Sequence, residues 1–171
     1  DAAAVTFVRP GLVLNLLGGG VTADGVISAR FRITDPKGLP LDREGFATPA
    51  PVSVSFIAAY IPKDKTQYVS YATRVQTSPI TGVSATQAST DSGGTFTKVA
   101  DGEYLYTFKT RAPVGYDRTA THTIGAYASR NLSEFNLGTQ YADATINFAP
   151  DGTLYKQVRD IVGTNSCNKC H

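Results

Sequence analysis

Apolar and polar residues alternate along much of this chain. In four segments the apolar residues occupy every second position: Ile27, Ala29, Phe31 and Ile33; Val52, Val54, Phe56, Ala58 and Tyr60; Tyr104, Tyr106 and Phe108; and Ala142, Ala144, Ile146 and Phe148. Successive side chains of a strand point to opposite faces, so this pattern predicts strands with one buried side. Thr, Val and Tyr are frequent, as is typical of strands.

Turn residues separate these segments. Asp35-Pro36-Lys37-Gly38 has the residues that a type I turn favours at their positions. Asp101-Gly102 predicts a hairpin between a strand over 96–99 and one over 103–108. A turn at 150–152 precedes a last expected strand at 153–162. Short strands with such turns between them predict an all-β fold, either an antiparallel Greek-key sandwich or a split barrel of the Ig-like kind.

The remaining Gly-rich and Pro-containing stretches are interpreted as loops. They are Gly18-Gly19-Gly20, Gly93-Gly94 and Ala112-Pro113. A short helical turn is expected near 78–83 or near 131–136. The chain has no long helical pattern and no repeat of fixed period, so strands account for the predicted fold.

Composition narrows the possible functions. The chain has 171 residues and a formal net charge of +2, with charges of both signs interspersed. A nucleic-acid interface would show a concentrated basic patch, so that class of partner is not expected. No apolar run approaches the ~20 residues of a membrane-spanning helix, and the longest candidate is 12–17. The chain begins at Asp1 without a signal sequence, so we expect a mature or excised polypeptide.

The last five residues form a C-x-x-C-H motif, the sequence that attaches a c-type haem. In that reading Cys167 and Cys170 form thioethers to the two haem vinyl groups, and His171 is the proximal axial ligand of the iron. The motif contains both cysteines of the chain. Haem c is attached outside the cytoplasm, so the motif predicts an extracytoplasmic redox protein.

Three other interpretations of the motif remain open. A structural zinc site needs about four Cys or His ligands, and only His122 could join the three residues of the motif. A redox dithiol or disulfide is a second alternative, although no βαβ pattern precedes the pair. A tail without a role is the third.

The position of the motif suggests how the chain is organised. We expect an N-terminal β domain over 1–163 and the start of a c-type haem domain over 164–171. A haem needs protein on both faces, yet the chain ends at the proximal ligand. We therefore expect either a longer, truncated polypeptide or a neighbouring subunit that completes the site.

Several stretches in this order resemble the OmcA/MtrC family of multihaem c-type cytochromes. They are Phe31-Arg32-Ile33-Thr34-Asp35-Pro36-Lys37-Gly38-Leu39-Pro40, Gly93-Gly94-Thr95-Phe96, Asp101-Gly102-Glu103-Tyr104-Leu105-Tyr106-Thr107-Phe108, Thr121-His122-Thr123-Ile124-Gly125, Asn147-Phe148-Ala149-Pro150-Asp151-Gly152 and the C-x-x-C-H motif. The resemblance covers most of the chain. It implies an N-terminal β domain that precedes a haem-packed domain.

The resemblance also implies a function. It suggests a protein of the outer-membrane surface or the extracellular space that passes electrons toward acceptors such as metal oxides or soluble shuttles. The chain would be an electron carrier rather than an enzyme, with its β domain as scaffold or docking module. Its expected partners are a downstream haem domain or a neighbouring cytochrome subunit, and an outer-membrane porin. Two alternatives are an adhesive or structural Ig-like surface domain without haem, and a subunit of a polymeric cytochrome filament.

The second axial ligand of the haem is open. The chain has no methionine, and His122 is its only histidine outside the motif. One interpretation makes His122 the distal ligand of the haem iron, because bis-histidine ligation is the norm in the family that the chain resembles. The other makes it a strand residue with local hydrogen bonds, on the same face as Ala120, Ile124 and Ala126.

Overall fold

The computed structural model describes residues 7–152, and these residues form an all-β domain. Its strands are β1 (Val13–Val21), β2 (Val26–Thr34), β3 (Val52–Tyr60), β4 (Val69–Ser70), β5 (Thr73–Thr77), β6 (Ser84–Ala88), β7 (Thr95–Ala100), β8 (Glu103–Arg111), β9 (His122–Asn131) and β10 (Thr139–Phe148). A 3-10 turn, Ser133–Phe135, lies between β9 and β10. The predicted strands over 26–34 and 52–60 are confirmed, as is the hairpin at Asp101-Gly102.

Eight of the strands form two antiparallel sheets that face each other. The first sheet has the order β1-β2-β8-β7 and the second the order β10-β9-β3-β4. These orders correspond to A-B-E-D and to G-F-C with a short added strand, as in immunoglobulin domains. The described residues form no closed barrel, so the predicted all-β, Ig-like fold is confirmed in its sandwich form.

The core lies between the inner faces of the two sheets, where the alternation placed it. The four inner residues of β2 are fully buried: Ile27, Ala29, Phe31 and Ile33. The ring of Phe56 on β3 stacks on that of Tyr106 on β8 at 4.4 Å between centroids, and it lies 5.4 Å from the ring of Phe31. Each buried aromatic of this kind contributes roughly 1.5–3 kcal/mol. The Tyr104, Tyr106 and Phe108 stripe is therefore part of the core.

The glycines at 18–20 were expected in a loop, and this prediction is wrong because they lie within β1. A β-bulge follows Leu16, and pairing with β2 resumes at Gly18. A Cβ on Gly19 would lie 2.9 Å from the side chains of Ile124 and Phe148. Glycine is needed at that position because β1 approaches the second sheet too closely for any side chain.

One of the buried residues on the inner face of β9 is a cation. Arg130 is 0% exposed and donates five hydrogen bonds of 2.6–3.2 Å to the carbonyls of Val8, Arg9, Gly11 and Pro49. Burial lowers the pKa of its guanidinium. The side chain thus ties the segment before β1 and the loop before β3 to the end of β9.

A buried carboxylate joins the two sheets at another place. Asp91 accepts hydrogen bonds from the Tyr106 hydroxyl at 2.5 Å, the Lys109 N–H at 3.0 Å and the Thr110 N–H at 2.9 Å. Its own N–H donates to the Phe56 carbonyl at 2.8 Å. Burial alone would raise the pKa of this carboxyl, but the three donors outweigh burial and lower the pKa.

Strands β5 and β6 form a separate ribbon between β4 and β7, which we call the arm (residues 73–88). The segment 78–83, where a helical turn was considered, is instead the hairpin turn of the arm. There the Ser78 N–H donates to the Val83 carbonyl at 2.9 Å. The other expected turn, near 131–136, is present as the 3-10 turn.

Two predictions lie outside the described residues. The strand expected at 153–162 is one of them, and the boundary between domains at 163 and 164 is the other. Both stay predictions. The turn that precedes them is present, since the Gly152 N–H donates to the Ala149 carbonyl at 2.9 Å.

Candidate functional site

The haem-attachment motif, Cys167, Cys170 and His171, lies outside the described residues. Its roles therefore stay predictions from the sequence. The structure does show where the chain leaves the sandwich. Fifteen peptide steps separate Gly152 from Cys167, which allows a separation of at most about 50 Å.

The chain leaves the sandwich beside His122. His122 pairs with Tyr60 of β3 on one side and with Phe148 of β10 on the other. Three residues after Phe148, the Asp151 N–H donates to the Arg118 carbonyl at 3.1 Å. We call this region, with the row Tyr60, His122 and Phe148, the exit end of the domain.

Both ring nitrogens of His122 have hydrogen-bond partners within the domain. Nδ1 lies 2.9 Å from the Ala120 carbonyl, and Nε2 lies 2.6 Å from the Tyr71 hydroxyl. A carbonyl only accepts, so Nδ1 carries the proton and Nε2 of the neutral ring accepts from the tyrosine. The side chain is 1% exposed. The predicted inward orientation of His122 is confirmed.

Aromatic rings enclose the imidazole. Its centroid lies 5.6–5.9 Å from the rings of Tyr60, Tyr71, Tyr116 and Phe148. Burial lowers the pKa of His122, opposed by the hydrogen bond to Ala120 and by the charge of Asp117. Burial also raises the pKa of Tyr71, which keeps its hydroxyl protonated. The cluster is therefore a neutral, hydrogen-bonded unit at neutral pH.

These contacts affect whether His122 can be the distal ligand of the haem iron. Iron ligation through Nε2 would displace the Tyr71 hydroxyl and would bring a haem into a space that the aromatic rings now fill. The contacts favour the interpretation of His122 as a strand residue with local hydrogen bonds. Its ligand role stays a prediction that a haem spectrum can test.

The carboxylates of the described loops have partners too. Asp35 accepts from the N–H groups of Lys37 and Leu39 and pairs with Arg9 at 3.1 Å. Asp42 accepts from three N–H groups of its own loop. Burial would raise both pKa values, but these hydrogen bonds lower them. Within residues 7–152, no cluster of three or more His, Cys, Asp or Glu side chains could hold a metal ion.

The outer face of the second sheet carries a shallow cleft of about 660 Å³. It lies over β3, β9 and β10 and is lined mainly by the hydroxyl-bearing residues Ser53, Ser55, Tyr127, Ser129 and Tyr141, together with Asp143 and two alanines. The cleft does not reach the exit end. Its lining residues on β3 are Ser53 and Ser55, whereas the exit end lies at Tyr60, the last residue of β3. No helix in the described part of the chain is long and apolar enough to cross a bilayer.

Two features of this region, the arm and the partner of His122, are not predicted by the sequence pattern. The arm has no apolar alternation, because all ten of its strand residues are exposed. The Tyr71–His122 pair joins residues 51 positions apart. The alternation of β9 did place His122 inward, but nothing local identifies its partner.

Comparison with known proteins shows which solved structures are similar to this domain. No protein-family model and no curated protein sequence matches the chain. Among solved structures it is similar to the outer membrane decaheme cytochrome OmcA, with a TM-score of 0.63 and 19% identity over 94% of this chain and 26% of that chain. It is also similar to MtrC from Shewanella baltica OS185, with a TM-score of 0.58 and 24% identity over 95% of this chain and 26% of that chain.

The two comparisons define a class of domain. The chain spans about a quarter of the length of each of these structures. At these identities the likeness shows a shared fold. The chain therefore contains an OmcA/MtrC-like β domain, and the resemblance seen in the sequence is confirmed at the level of the fold.

Proposed function

We propose that this chain is part of an extracytoplasmic multihaem c-type cytochrome that works at the outer-membrane surface. Haem c would be bound through Cys167 and Cys170, with His171 as proximal ligand of the iron. A bound haem supplies reversible one-electron transfer. The β domain would serve as scaffold and docking module for the haem-bearing part of the protein.

Two observations taken together support this proposal. A C-x-x-C-H motif follows a β domain whose fold is shared with the outer membrane decaheme cytochrome OmcA and with MtrC. Either feature alone is weak, because the motif is short and the fold occurs in many surface proteins. The donor set also fits the group: two thiols separated by two residues, followed directly by an imidazole, are what covalent haem attachment requires.

The proposed partners follow from the same reasoning. They are a downstream haem domain or a neighbouring cytochrome subunit, an outer-membrane porin, and extracellular electron acceptors. The described domain contributes no histidine other than His122. Its two hydrogen bonds and its burial support a structural role, so we expect the distal ligand to come from outside residues 7–152.

The test of haem attachment uses the full chain expressed in a host that matures c-type cytochromes. We expect a pyridine haemochrome spectrum of haem c and a mass increase of one haem on the peptide that contains Cys167 and Cys170. The matched control replaces both cysteines with serine and loses the haem. Free thiols, a disulfide between them, or bound zinc in the matured protein would contradict the proposal.

A second experiment addresses His122. In the haem-loaded protein, His122→Ala should leave the low-spin spectrum unchanged, because another group ligates the iron. Conversion to a high-spin spectrum would assign His122 as the distal ligand instead.

The Ig-like strand order supports one rival function, since many cell-surface domains without cofactors have the same sandwich architecture. In that case the chain would be an adhesive or structural module. The absorption spectrum of the matured protein separates the two, because only the cytochrome shows a Soret band.

A further inference from the structure

The contacts of the arm within residues 7–152 do not explain how it stays folded. All ten strand residues of the arm are exposed, and among residues 7–152 its two strands pair only with each other. Val75, Ile80 and Val83 are 70%, 92% and 66% exposed. A two-stranded ribbon alone is marginally stable in water at best. The arm therefore needs a surface on which to pack.

The edges of the arm lack the usual protection against pairing. Free strands in soluble proteins normally carry charges or prolines that prevent association. In the arm, Arg74 is the only charged residue, and Pro79 lies in the turn rather than on an edge. A ribbon with a single charge and three exposed β-branched aliphatic side chains is suited to an apolar partner.

The root of the arm lies at the exit end. Immediately before β5, the Tyr71 N–H donates to the Ala58 carbonyl at 3.0 Å, and its hydroxyl contacts His122. Immediately after β6, the Ser89 N–H donates to the Ala72 carbonyl at 3.0 Å. His122 also pairs with Phe148, the last residue of β10. The arm and the chain that follows β10 therefore both begin next to His122, one at Tyr71 and the other at Phe148.

We propose that the arm is the docking surface for the segment 153–171. This segment follows directly from the exit end and contains five apolar residues before its haem motif: Leu154, Tyr155, Val158, Ile161 and Val162. Docking buries these residues with the aliphatic side chains of the arm, and the hydrophobic effect supplies the driving force. The inference rests on the proposed function and deepens it, because the segment that docks is the one that would carry the haem.

Trypsin gives a direct test on the full, haem-loaded chain. Lys156 and Arg159 are cleavage sites within the segment, and cleavage requires the segment to leave its docked position. In a variant with Val75, Ile80 and Val83 all replaced by serine, we expect cleavage at both sites to be about tenfold faster or more. The matched control is Phe46→Ser, which removes a side chain that is 88% exposed in the loop that leads to the opposite end of β3. It should cleave at the wild-type rate.

Amide hydrogen exchange on the unmodified protein provides an independent measurement. Docking predicts protection of residues 73–88, whereas an unpartnered ribbon exchanges at close to the rate of an unfolded chain. Unprotected arm amides, or equal trypsin rates in wild type and arm variant, would overturn the inference. Protection that disappears on dilution would also overturn it, by identifying a second copy as the occupant. The haemochrome assay is read separately, so haem attachment with an unprotected arm leaves the proposed function standing while the docking inference fails.

Discussion

Arg130 provides the strongest test of how this domain is held together. Its guanidinium is fully buried and bonds to four carbonyls from two segments, with no carboxylate among its hydrogen-bond partners. The substitution Arg130→Met keeps much of the side-chain volume and removes every donor. The four carbonyls then lose their partner, and the segment before β1 loses its main attachment.

The expected cost can be estimated from these contacts. Val8 is buried and Arg9, Gly11 and Pro49 are half-buried, so each unpaired carbonyl costs at most about 1–3 kcal/mol, and relief of the desolvation of the guanidinium offsets part of the total. We expect a net loss of about 3–5 kcal/mol in the free energy of unfolding, near the upper limit for single substitutions. For a chain of this size that corresponds to a decrease in Tm of roughly 6–20 °C.

Urea and thermal unfolding followed by far-UV circular dichroism measure this change. Lys63→Met, at an exposed position in the loop after β3, is the control and should shift the free energy of unfolding by less than about 0.5 kcal/mol. Arg130→Lys should recover only part of the loss, because one ammonium cannot reach all four carbonyls. An Arg130→Met protein as stable as the wild type, or more stable, would show that desolvation cancels the hydrogen bonds and would refute this reasoning.

Three further predictions concern other contacts. Gly19→Ala should cost about 1–3 kcal/mol in thermal unfolding, because its Cβ meets side chains of the second sheet at 2.9 Å, whereas Gly20→Ala, with open space around it, should not destabilise the domain. The folded pKa of Asp91 is lowered, so its stabilising contribution is present above about pH 4 and is lost as the pH falls further; Asp91→Asn should weaken this acid dependence in urea titrations. The folded pKa of His122 is also lowered, so the unfolded state binds its proton first and stability should fall as the pH drops below 6.5. Tyr71→Phe should cost about 1–2 kcal/mol at pH 7 by leaving a buried ring nitrogen unpaired, and an unchanged Tm would contradict that role.

Period-two alternation was sufficient to predict an all-β fold, with a sandwich and a split barrel both left open, because the burial of one face of each strand depends on one repeated local property. β2 and β3 have the predicted bounds, and their inner residues form the core. The same property failed for the glycines of β1. Three consecutive glycines favour a loop by local propensity, and nothing in the local sequence shows that Gly19 lies against side chains of the opposite sheet.

The candidate site was less predictable because its contacts are distant in sequence. Alternation placed His122 inward, but Tyr71 is 51 residues away and lies outside any alternating segment. Arg130 lies on the same inner face, yet its carbonyl partners reach back as far as 122 residues. The C-x-x-C-H motif is apparent in the sequence because the chemistry predicted for it requires neighbouring residues, and its haem attachment stays a prediction.

The bond between Arg130 and Val8 has a consequence for biogenesis. The carbonyls of residues 8–11 are synthesised before most of the domain, but they gain their partner only after residue 130 has followed. The β1–β2 hairpin can form early from local contacts, whereas this closure is among the longest loops of the domain and carries the corresponding entropic cost. The segment 8–11 therefore stays without these hydrogen bonds until most of the domain has been synthesised, and during that interval it is open to proteases and to pairing with another chain.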